Sequence, residues 1–217
     1  MRGESTGSRA RQPYPLIAGM DSAEAKEELR RAIRAQRAAR TSRQRDVAAK
    51  AFADVILTVP AVRDARVVAT YASRPTEPST RVLLDRLTES GARVLLPVLG
   101  AGLARDWAEY AGHDDLRERA PGRPPEPSGP ALGPGVIAQA DVIVAPALAV
   151  DTRGMRLGQG GGWYDRSLKQ ARDGVTVVAM VFPEELYDAE HRPLPVEDHD
   201  MPVHIVATPE SWRTLPA

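Results

Sequence analysis

The sequence has 217 residues, of which 42% are hydrophobic, so the chain is long enough to bury one substantial core. Its 29 Lys and Arg residues balance its 29 Asp and Glu residues, so no net charge draws the molecule toward nucleic acid or an anionic membrane. The absence of Cys excludes disulfides, thiolate metal sites and a Cys nucleophile. We expect a soluble cytoplasmic monomer without membrane or nucleic-acid partners.

The first twenty residues are rich in Gly, Ser, Arg and Pro and lack the continuous apolar segment of a secretory signal. We expect residues 1–20 to form a disordered tail, or translation to begin at Met20. Residues 21–217 are predicted to form a single α/β domain.

Helical patterns alternate with short apolar segments along the rest of the chain. Residues 22–57 contain neither Pro nor Gly, and Leu29 and Ile33 recur at helical spacing, which predicts one long N-terminal helix or two in tandem. A second helix is predicted between the candidate N-caps Ser79 and Thr80 and the stop at Gly91. Residues 163–172 are predicted to form another helix.

The apolar segments are predicted strands, and they span residues 66–71, 93–97, 141–146, 175–181 and 203–207. Because they are apolar throughout and separated by helices, we expect a mostly parallel open sheet with helices on both faces, a Rossmann-like three-layer arrangement. Ligands bind such sheets at the carboxyl ends of strands, here the loops after Tyr71, Pro146 and Val181. The Pro-rich residues 112–135 are predicted to form an irregular excursion over the sheet edge.

A glycine-rich turn, residues 156–165, follows a predicted strand and precedes a predicted helix. Residues without a Cβ let successive backbone N–H groups converge on an anion, and the helix start adds positive charge. Arg156 can pair with phosphate, and Asp165 offers an oxygen ligand of the kind that Mg²⁺ prefers. The pattern favours a phosphate site, but a tight crossover with Asp165 capping the helix accounts for the same residues.

Basic residues form a stripe on the first predicted helix. Lys26, Arg30, Arg34 and Arg37 fall within about 80° of one another around the helix axis. Such a stripe is typical of a solvated face, and it also fits contact with phosphates or RNA.

Three stretches of the chain resemble motifs of the 5-formyltetrahydrofolate cyclo-ligase family. The string from Asp151 to Arg166, which contains the glycine-rich turn, resembles the family signature. Lys26 and Arg30, with Leu29 between them, are similar to the family's first motif, and His199-Asp200 before the final strand is similar to its last. The resemblance runs from Lys26 to Thr208.

The resemblance implies a ligase that uses ATP and Mg²⁺ to convert 5-formyltetrahydrofolate into 5,10-methenyltetrahydrofolate, with release of ADP and phosphate. In this reaction the formyl oxygen is phosphorylated and N10 then closes the ring. Arg156 and Asp165 are the implied catalytic residues, and Asp165 and Asp200 the implied metal ligands. The implied nucleotide-binding residues are Lys26, Arg30, Arg156, Leu157, Gly158, Gln159, Gly160, Gly161, Gly162, Trp163 and Tyr164. The implied folate-binding residues are Ala72, Glu77, Glu126, Gln159, Gly160, Gly161, Gly162 and Trp163.

Two alternatives remain at the level of the sequence. The first is a non-catalytic nucleotide- or RNA-binding protein that retains the phosphate-binding turn. The second is a dinucleotide-dependent oxidoreductase of similar fold, which the spacing of the glycines disfavours.

Overall fold

The computed structural model describes residues 12–14, 20–99, 104–119 and 122–216. The α-helices of this part of the chain are α1 (Ser22–Ala38), α2 (Ser42–Ile56), α3 (Pro60–Arg63), α4 (Arg81–Glu89) and α5 (Trp163–Leu168). The strands are β1 (Val67–Ala69), β2 (Arg93–Leu99), β3 (Arg105–Glu109), β4 (Leu116–Arg117), β5 (Glu126–Pro127), β6 (Val142–Pro146), β7 (Ala149–Asp151), β8 (Arg156–Leu157), β9 (Thr176–Met180), β10 (Leu186–Tyr187), β11 (Ile205–Ala207) and β12 (Trp212–Thr214). Among the described helices, none has the length and apolar character needed to cross a membrane.

The main sheet has seven strands in the order β12-β11-β9-β6-β1-β2-β3. Strands β11, β9, β6, β1 and β2 are parallel, whereas β12 and β3 pair antiparallel at the two edges. The predicted mixed α/β domain with a mostly parallel sheet is therefore confirmed, while the Rossmann-like three-layer description stays a prediction. The sequence does not predict the two edge strands, because each carries polar or exposed residues where a central strand is apolar.

Strand β1 lies between β2 and β6, and this order creates a crevice in the sheet. The chain passes from β1 through α4 to its neighbour β2 on one side, and β6, β9 and β11 then extend the sheet on the other side. Connections that leave neighbouring strands in opposite directions open a ligand site at the carboxyl ends of those strands. The sheet order therefore places a site where β1 and β6 end.

Residues 22–57 form two tandem helices rather than one long helix. The break lies between α1 and α2, where Thr41 is the N-cap of α2. The Thr41 side chain accepts from Gln44 N at 3.2 Å, and the Gln44 side chain accepts from Thr41 N at 2.8 Å. This reciprocal capping box stabilises a new helix start, so the absence of Pro and Gly does not imply continuity.

Helix α1 is fixed to the domain through its buried face. Leu29 and Ile33 are 1% and 0% exposed and belong to the apolar cluster that contains Tyr187. Arg37 makes a bidentate pair with Glu185, with donor–acceptor distances of 2.6 and 2.7 Å. These contacts fix the helix that carries Lys26 and Arg30.

Residues 12–14 contact the same part of the domain. Gln12 Nε2 donates to the carbonyl oxygens of Glu184 and Leu186, both at 2.9 Å. The Tyr187 hydroxyl donates to Pro13 O at 2.6 Å, and Tyr14 packs against the cluster that contains Tyr187. The other residues of the predicted disordered tail, except Met20, lie outside the described residues, and the domain boundary stays a prediction.

The Pro-rich excursion covers the β3 edge of the sheet, as predicted. Leu132 N donates to Trp107 O at 2.8 Å, and Trp107 in β3 is 1% exposed. Within the excursion, β4 and β5 pair antiparallel and bury Glu126. The excursion thereby brings a carboxylate to the end of the sheet where β1 and β6 open.

Candidate active site

A cleft of about 750 Å³ lies at the carboxyl ends of β1, β2 and β6. Every residue assigned from the sequence to catalysis, nucleotide binding, folate binding or metal binding lines this cleft. The structure thus brings the N-terminal, central and C-terminal motifs into one place, while their individual roles remain predictions. Of the three loops expected at the site, those that follow Tyr71 and Pro146 contribute to the lining.

The first residues of the third loop, after Val181, are not part of the cleft lining, but the same connection between β9 and β11 returns to the cleft at Glu197, His199 and Asp200. Its 3-10 turn Pro183–Glu185 instead places Glu184 against Arg40 and Glu185 against Arg37. The loop therefore reaches the cleft through its C-terminal part rather than directly after β9, because β6 separates β9 from the β1–β6 crevice.

The glycine-rich turn has a backbone that requires glycine at two positions. Gly160 and Gly162 have φ angles of +99° and +56°, a region that side chains with a Cβ rarely occupy. Among the described residues, none of the four backbone N–H groups from Gln159 to Gly162 donates a hydrogen bond within the protein. The turn therefore presents unpaired donors beside the cleft, as a phosphate site requires.

Helix α5 is shorter than predicted and ends at Leu168 instead of residue 172. The chain tightens there, because Gln170 N donates to Ser167 O and Ala171 N donates to Leu168 O, three residues back. A helix of six residues adds little dipole field, so anion binding at the turn depends on its amides and on nearby arginines.

Two arginines of α1 lie against the glycine-rich turn. Arg30 Nε donates to Gly158 O at 2.9 Å. Arg34 Nε donates to Gln159 Oε1 at 3.1 Å, and its Nη2 donates to Gln159 O at 2.9 Å. The family's first motif predicts that Arg30 lies at the phosphate site. Arg34 belongs to the same basic stripe, but no motif assigns it a role.

The two expected catalytic residues contact each other. Arg156 Nη2 lies 2.6 Å from Asp165 Oδ1, and Arg156 Nη1 donates to Pro146 O at 3.1 Å. Asp165 Oδ1 also accepts from Met201 N at 3.4 Å. Arg156 therefore ties the turn to the end of β6, and Asp165 links the turn to the C-terminal acidic segment.

The C-terminal acidic segment surrounds Lys26. Its ammonium lies 2.6 Å from Glu197 Oε2 and 2.5 Å from Asp200 Oδ2, and the residue is 3% exposed. Ligand atoms of Glu197, His199 and Asp200 lie within 4.8 Å of one another, an arrangement that can hold a cation. The two carboxylates are ligands of the kind that Mg²⁺ takes together with phosphate oxygens, and in this structure the Lys26 ammonium lies against both of them.

Two buried carboxylates, one in the loop after β1 and one in β5, form another part of the cleft wall. Glu77 is 7% exposed and accepts from Arg74 N and from Gln159 Nε2, each at 2.9 Å. Glu126 is 5% exposed, and its Oε2 has no hydrogen-bond partner among the described residues, with Arg119 Nε 3.4 Å away. Carboxylates in such positions are acceptors for the N–H groups of a ligand ring.

Aromatic residues support the floor of the cleft. Burial raises the pKa of Tyr71 and of Tyr164 well above the usual value for a phenol. The Tyr71 hydroxyl donates to Pro78 O and the Tyr164 hydroxyl to Thr70 O, both at 3.0 Å. Neutral, paired phenols of this kind hold loops in place. Trp163 lines the cleft at the start of α5.

Further residues line the cleft although the sequence assigns them no role. Those with a charged or titratable side chain include Arg74, Arg123, Glu197 and His199. The last two lie inside a recognised acidic motif, which is the only signal for them. Arg123 lies in the Pro-rich excursion, where no local pattern marks it.

Comparisons with known proteins agree with this geometry. The sequence profile described as the 5-formyltetrahydrofolate cyclo-ligase family matches residues 22–209. The 5-formyltetrahydrofolate cyclo-ligase of Mycolicibacterium smegmatis is 42% identical over 156 residues, which cover 67% of this chain and 74% of that protein. The protein of the same name from Escherichia coli is 33% identical over 186 residues, which cover 83% of this chain and 99% of the relative.

A solved structure has the same fold. The NMR structure of the 5,10-methenyltetrahydrofolate synthetase of Aquifex aeolicus matches with a TM-score of 0.73 and 25% identity, covering 88% of this chain and 92% of that one. The interpretation of the chain as an enzyme of the ligase class is confirmed by these relatives. The chain belongs to the 5-formyltetrahydrofolate cyclo-ligase family.

Proposed function

We propose that the protein uses ATP to convert 5-formyltetrahydrofolate into 5,10-methenyltetrahydrofolate, with release of ADP and phosphate. The observation that carries the proposal is one cleft in which the glycine-rich turn and its arginines face the buried carboxylates Glu77 and Glu126. The first group has the chemistry to bind a triphosphate, and the second has the chemistry to accept from the N–H groups of a pterin. The names of the relatives support the same reaction.

The reaction needs activation because a formyl oxygen is a poor leaving group. The formyl oxygen attacks the γ-phosphate of ATP and displaces ADP, N10 of the folate closes onto the activated carbon and loses its proton to solvent, and phosphate then leaves. No protein nucleophile takes part, so the protein contributes positioning and neutralisation of charge. A cleft built from glycines, basic residues and carboxylates suits that task.

The basic residues act on the phosphates. The amides from Gln159 to Gly162, with Arg30 and Lys26, bind the triphosphate, and Arg156 neutralises the charge that develops during transfer. Asp165 and Asp200 are the residues that would hold Mg²⁺, with Glu197 beside them. When bound, Mg²⁺ supplies further neutralisation of the phosphate oxygens.

The folate lies along the opposite wall. Glu77 and Glu126 orient the pterin by accepting from its ring and amino N–H groups. Trp163 offers an aromatic face beside the turn, and Ala72 lies at the end of β1 where a larger side chain would narrow the cleft. This arrangement directs the formyl group toward the phosphates held at the turn.

Internal contacts explain the arginines that suggest an RNA-binding protein. Arg37 is buried against Glu185, and the Arg40 guanidinium pairs with Glu184 and lies 3.7 Å from the centre of the Phe182 ring. These contacts favour a structural role for Arg37 and Arg40. Salt-dependent retention of RNA without folate turnover would favour the non-catalytic alternative instead.

The test is a direct assay of purified protein with ATP, Mg²⁺ and 5-formyltetrahydrofolate. We expect the absorbance of the methenyl product to appear only when all three are present, with one ADP formed per product. Replacing ATP with NAD controls for dinucleotide chemistry and should give no product. Failure to form product with ATP at any tested concentration would refute the proposed function.

A further inference from the structure

One side chain connects the two walls of the cleft. The Gln159 amide accepts from Arg34 Nε on α1 at 3.1 Å, and it donates to Glu77 Oε1 in the loop after β1 at 2.9 Å. Arg34 also donates to Gln159 O at 2.9 Å, which fixes the backbone of the same residue. A continuous hydrogen-bonded path therefore runs from α1 through the glycine-rich turn to Glu77.

The chemistry of the three groups determines which way the amide faces. A guanidinium has only donors, so it must meet the amide oxygen, and a carboxylate has only acceptors, so it must meet the amide NH₂. Without Arg34, the contact with Glu77 alone would set the orientation of the Gln159 amide. Arg34 therefore selects the orientation in which Gln159 supports the Glu77 carboxylate.

The position of the Glu77 carboxylate depends on this support. Its Oε2 accepts from Arg74 N at 2.9 Å, so the bond from Gln159 to Oε1 is the second contact that fixes the plane of the carboxylate. Each oxygen keeps a further lone pair for a ligand. A carboxylate held at both oxygens presents those lone pairs in one direction, which lowers the cost of ordering it on binding.

We propose that Arg34 is a positioning residue for folate recognition, acting through the Gln159 amide on Glu77. The inference rests on the proposed function, because it assumes that Glu77 binds the folate. It assigns Arg34, which lies on the nucleotide side of the cleft, a role in the affinity for the other substrate. Nucleotide bound at the turn is expected to fix Gln159 further and so to strengthen folate binding. Because such coupling is reciprocal, folate then strengthens nucleotide binding by the same factor.

The competing interpretation is that Arg34 binds phosphate directly. Both interpretations place the guanidinium beside the turn, but they predict different kinetic effects. Loss of a phosphate contact raises KM for ATP, whereas loss of the Gln159 orientation raises KM for 5-formyltetrahydrofolate.

The experiment compares Arg34→Met, Gln159→Met and the double variant with the matched control Arg31→Met. Arg31 lies on the same helix, is 72% exposed and pairs only with Glu28 at 2.7 Å among the described residues. Folate affinity is measured without turnover from quenching of tryptophan fluorescence by 5-formyltetrahydrofolate, with and without a non-hydrolysable ATP analogue. Steady-state KM and kcat are then measured for both substrates.

We expect Arg34→Met and Gln159→Met each to raise the Kd and KM for folate roughly fivefold, with less than about a twofold change in KM for ATP. Because both act through one path, the double variant should be no weaker than Gln159→Met alone. Arg34→Lys, which keeps one donor group, should recover part of the affinity. In both single variants the analogue should strengthen folate binding less than it does in the wild-type protein.

Three results would overturn the proposal. The first is folate affinity in Arg34→Met equal to that of Arg31→Met, and the second is a rise in KM for ATP alone. A simple sum of the two single effects would also contradict action through Gln159. Wild-type protein that forms no methenyl product refutes the proposed function, and the fluorescence titration still decides whether Arg34 affects folate binding.

Discussion

Two arginine–carboxylate pairs in different parts of the molecule have equally short contacts, although the first is bidentate and the second is a single contact. Arg37 Nε lies 2.6 Å from Glu185 Oε1, and Arg156 Nη2 lies 2.6 Å from Asp165 Oδ1. The side chains of the first pair, which we call the anchor pair, are 1% and 2% exposed. In the second, the cleft pair, Asp165 is 13% exposed and faces the cleft. The bidentate, fully buried pair supports the fold, whereas the pair with one contact leaves its carboxylate accessible to a ligand.

The largest expected effect comes from breaking the anchor pair. Arg37→Ala leaves the Glu185 carboxylate buried without its cation, so we expect the free energy of unfolding to fall by about 3 to 5 kcal/mol. Urea denaturation measures this loss, with Arg31→Ala as an exposed control on the same helix expected within about 0.5 kcal/mol of wild type. A loss below about 1 kcal/mol would show that the pair does not anchor α1.

Breaking the cleft pair should affect chemistry more than stability. Asp165→Asn removes the proposed oxygen ligand for Mg²⁺ and the negative partner of Arg156, so we expect kcat to fall by roughly 100-fold or more. The loss of unfolding free energy should be smaller than for Arg37→Ala, because Asp165 is nearer to water. Near-wild-type turnover at saturating Mg²⁺ would remove Asp165 from the site.

A smaller change should come from the arginine beside the turn. Arg30→Ala removes a cation that donates to Gly158 O, and we expect KM for ATP to rise about tenfold with little change in kcat. Initial rates over a range of ATP concentrations measure this, and the unfolding free energy serves as the control for folding. An unchanged dependence on ATP would contradict the assignment of Arg30 to phosphate.

The smallest effect should be a loss of unfolding free energy in alkaline solution, about 1 kcal/mol for each buried phenol. It should involve phenols near both the cleft pair and the anchor pair. Burial raises the pKa of Tyr71 at the cleft and of Tyr187 near the anchor pair. An unfolded phenol titrates near pH 10, so the contribution to stability is complete below about pH 10 and is lost as the pH rises further. Urea denaturation from about pH 9 to about pH 11 should show this fall, and Tyr71→Phe or Tyr187→Phe should reduce it. A flat profile would contradict the burial of these phenols.

The central strands could be predicted from the sequence because burial on both faces leaves a continuous apolar run. Strand β6 is such a case, with Val142 to Ala145 all buried between β1 and β9. Strand β12 has no such run, since its residues are partly or fully exposed and only its pairing with β11 defines it. The last parallel strand is predicted to begin at Val203. Strand β11 begins at Ile205 instead, and Val203 N donates to Gly154 O at 2.8 Å.

The candidate site could be predicted where its residues are neighbours in the chain. The glycine-rich turn carries most of them, and its local pattern is enough to indicate a phosphate site. The contacts of Lys26 with Glu197 and Asp200 join residues 171 and 174 positions apart, and the path from Arg34 to Gln159 spans 125 positions. Which charged groups meet across such separations depends on the folded topology, so local sequence does not reveal it.

The docking of residues 12–14 has a consequence for how the protein is produced. This short segment precedes the part of the chain that matches the family, yet it covers the Tyr187 cluster into which α1 packs. A recombinant product that begins at Met20, with or without an affinity tag at that end, would lack residues 12–14. The apolar surface that they cover would then be exposed to water. We expect such a product to melt at a lower temperature than the 217-residue chain.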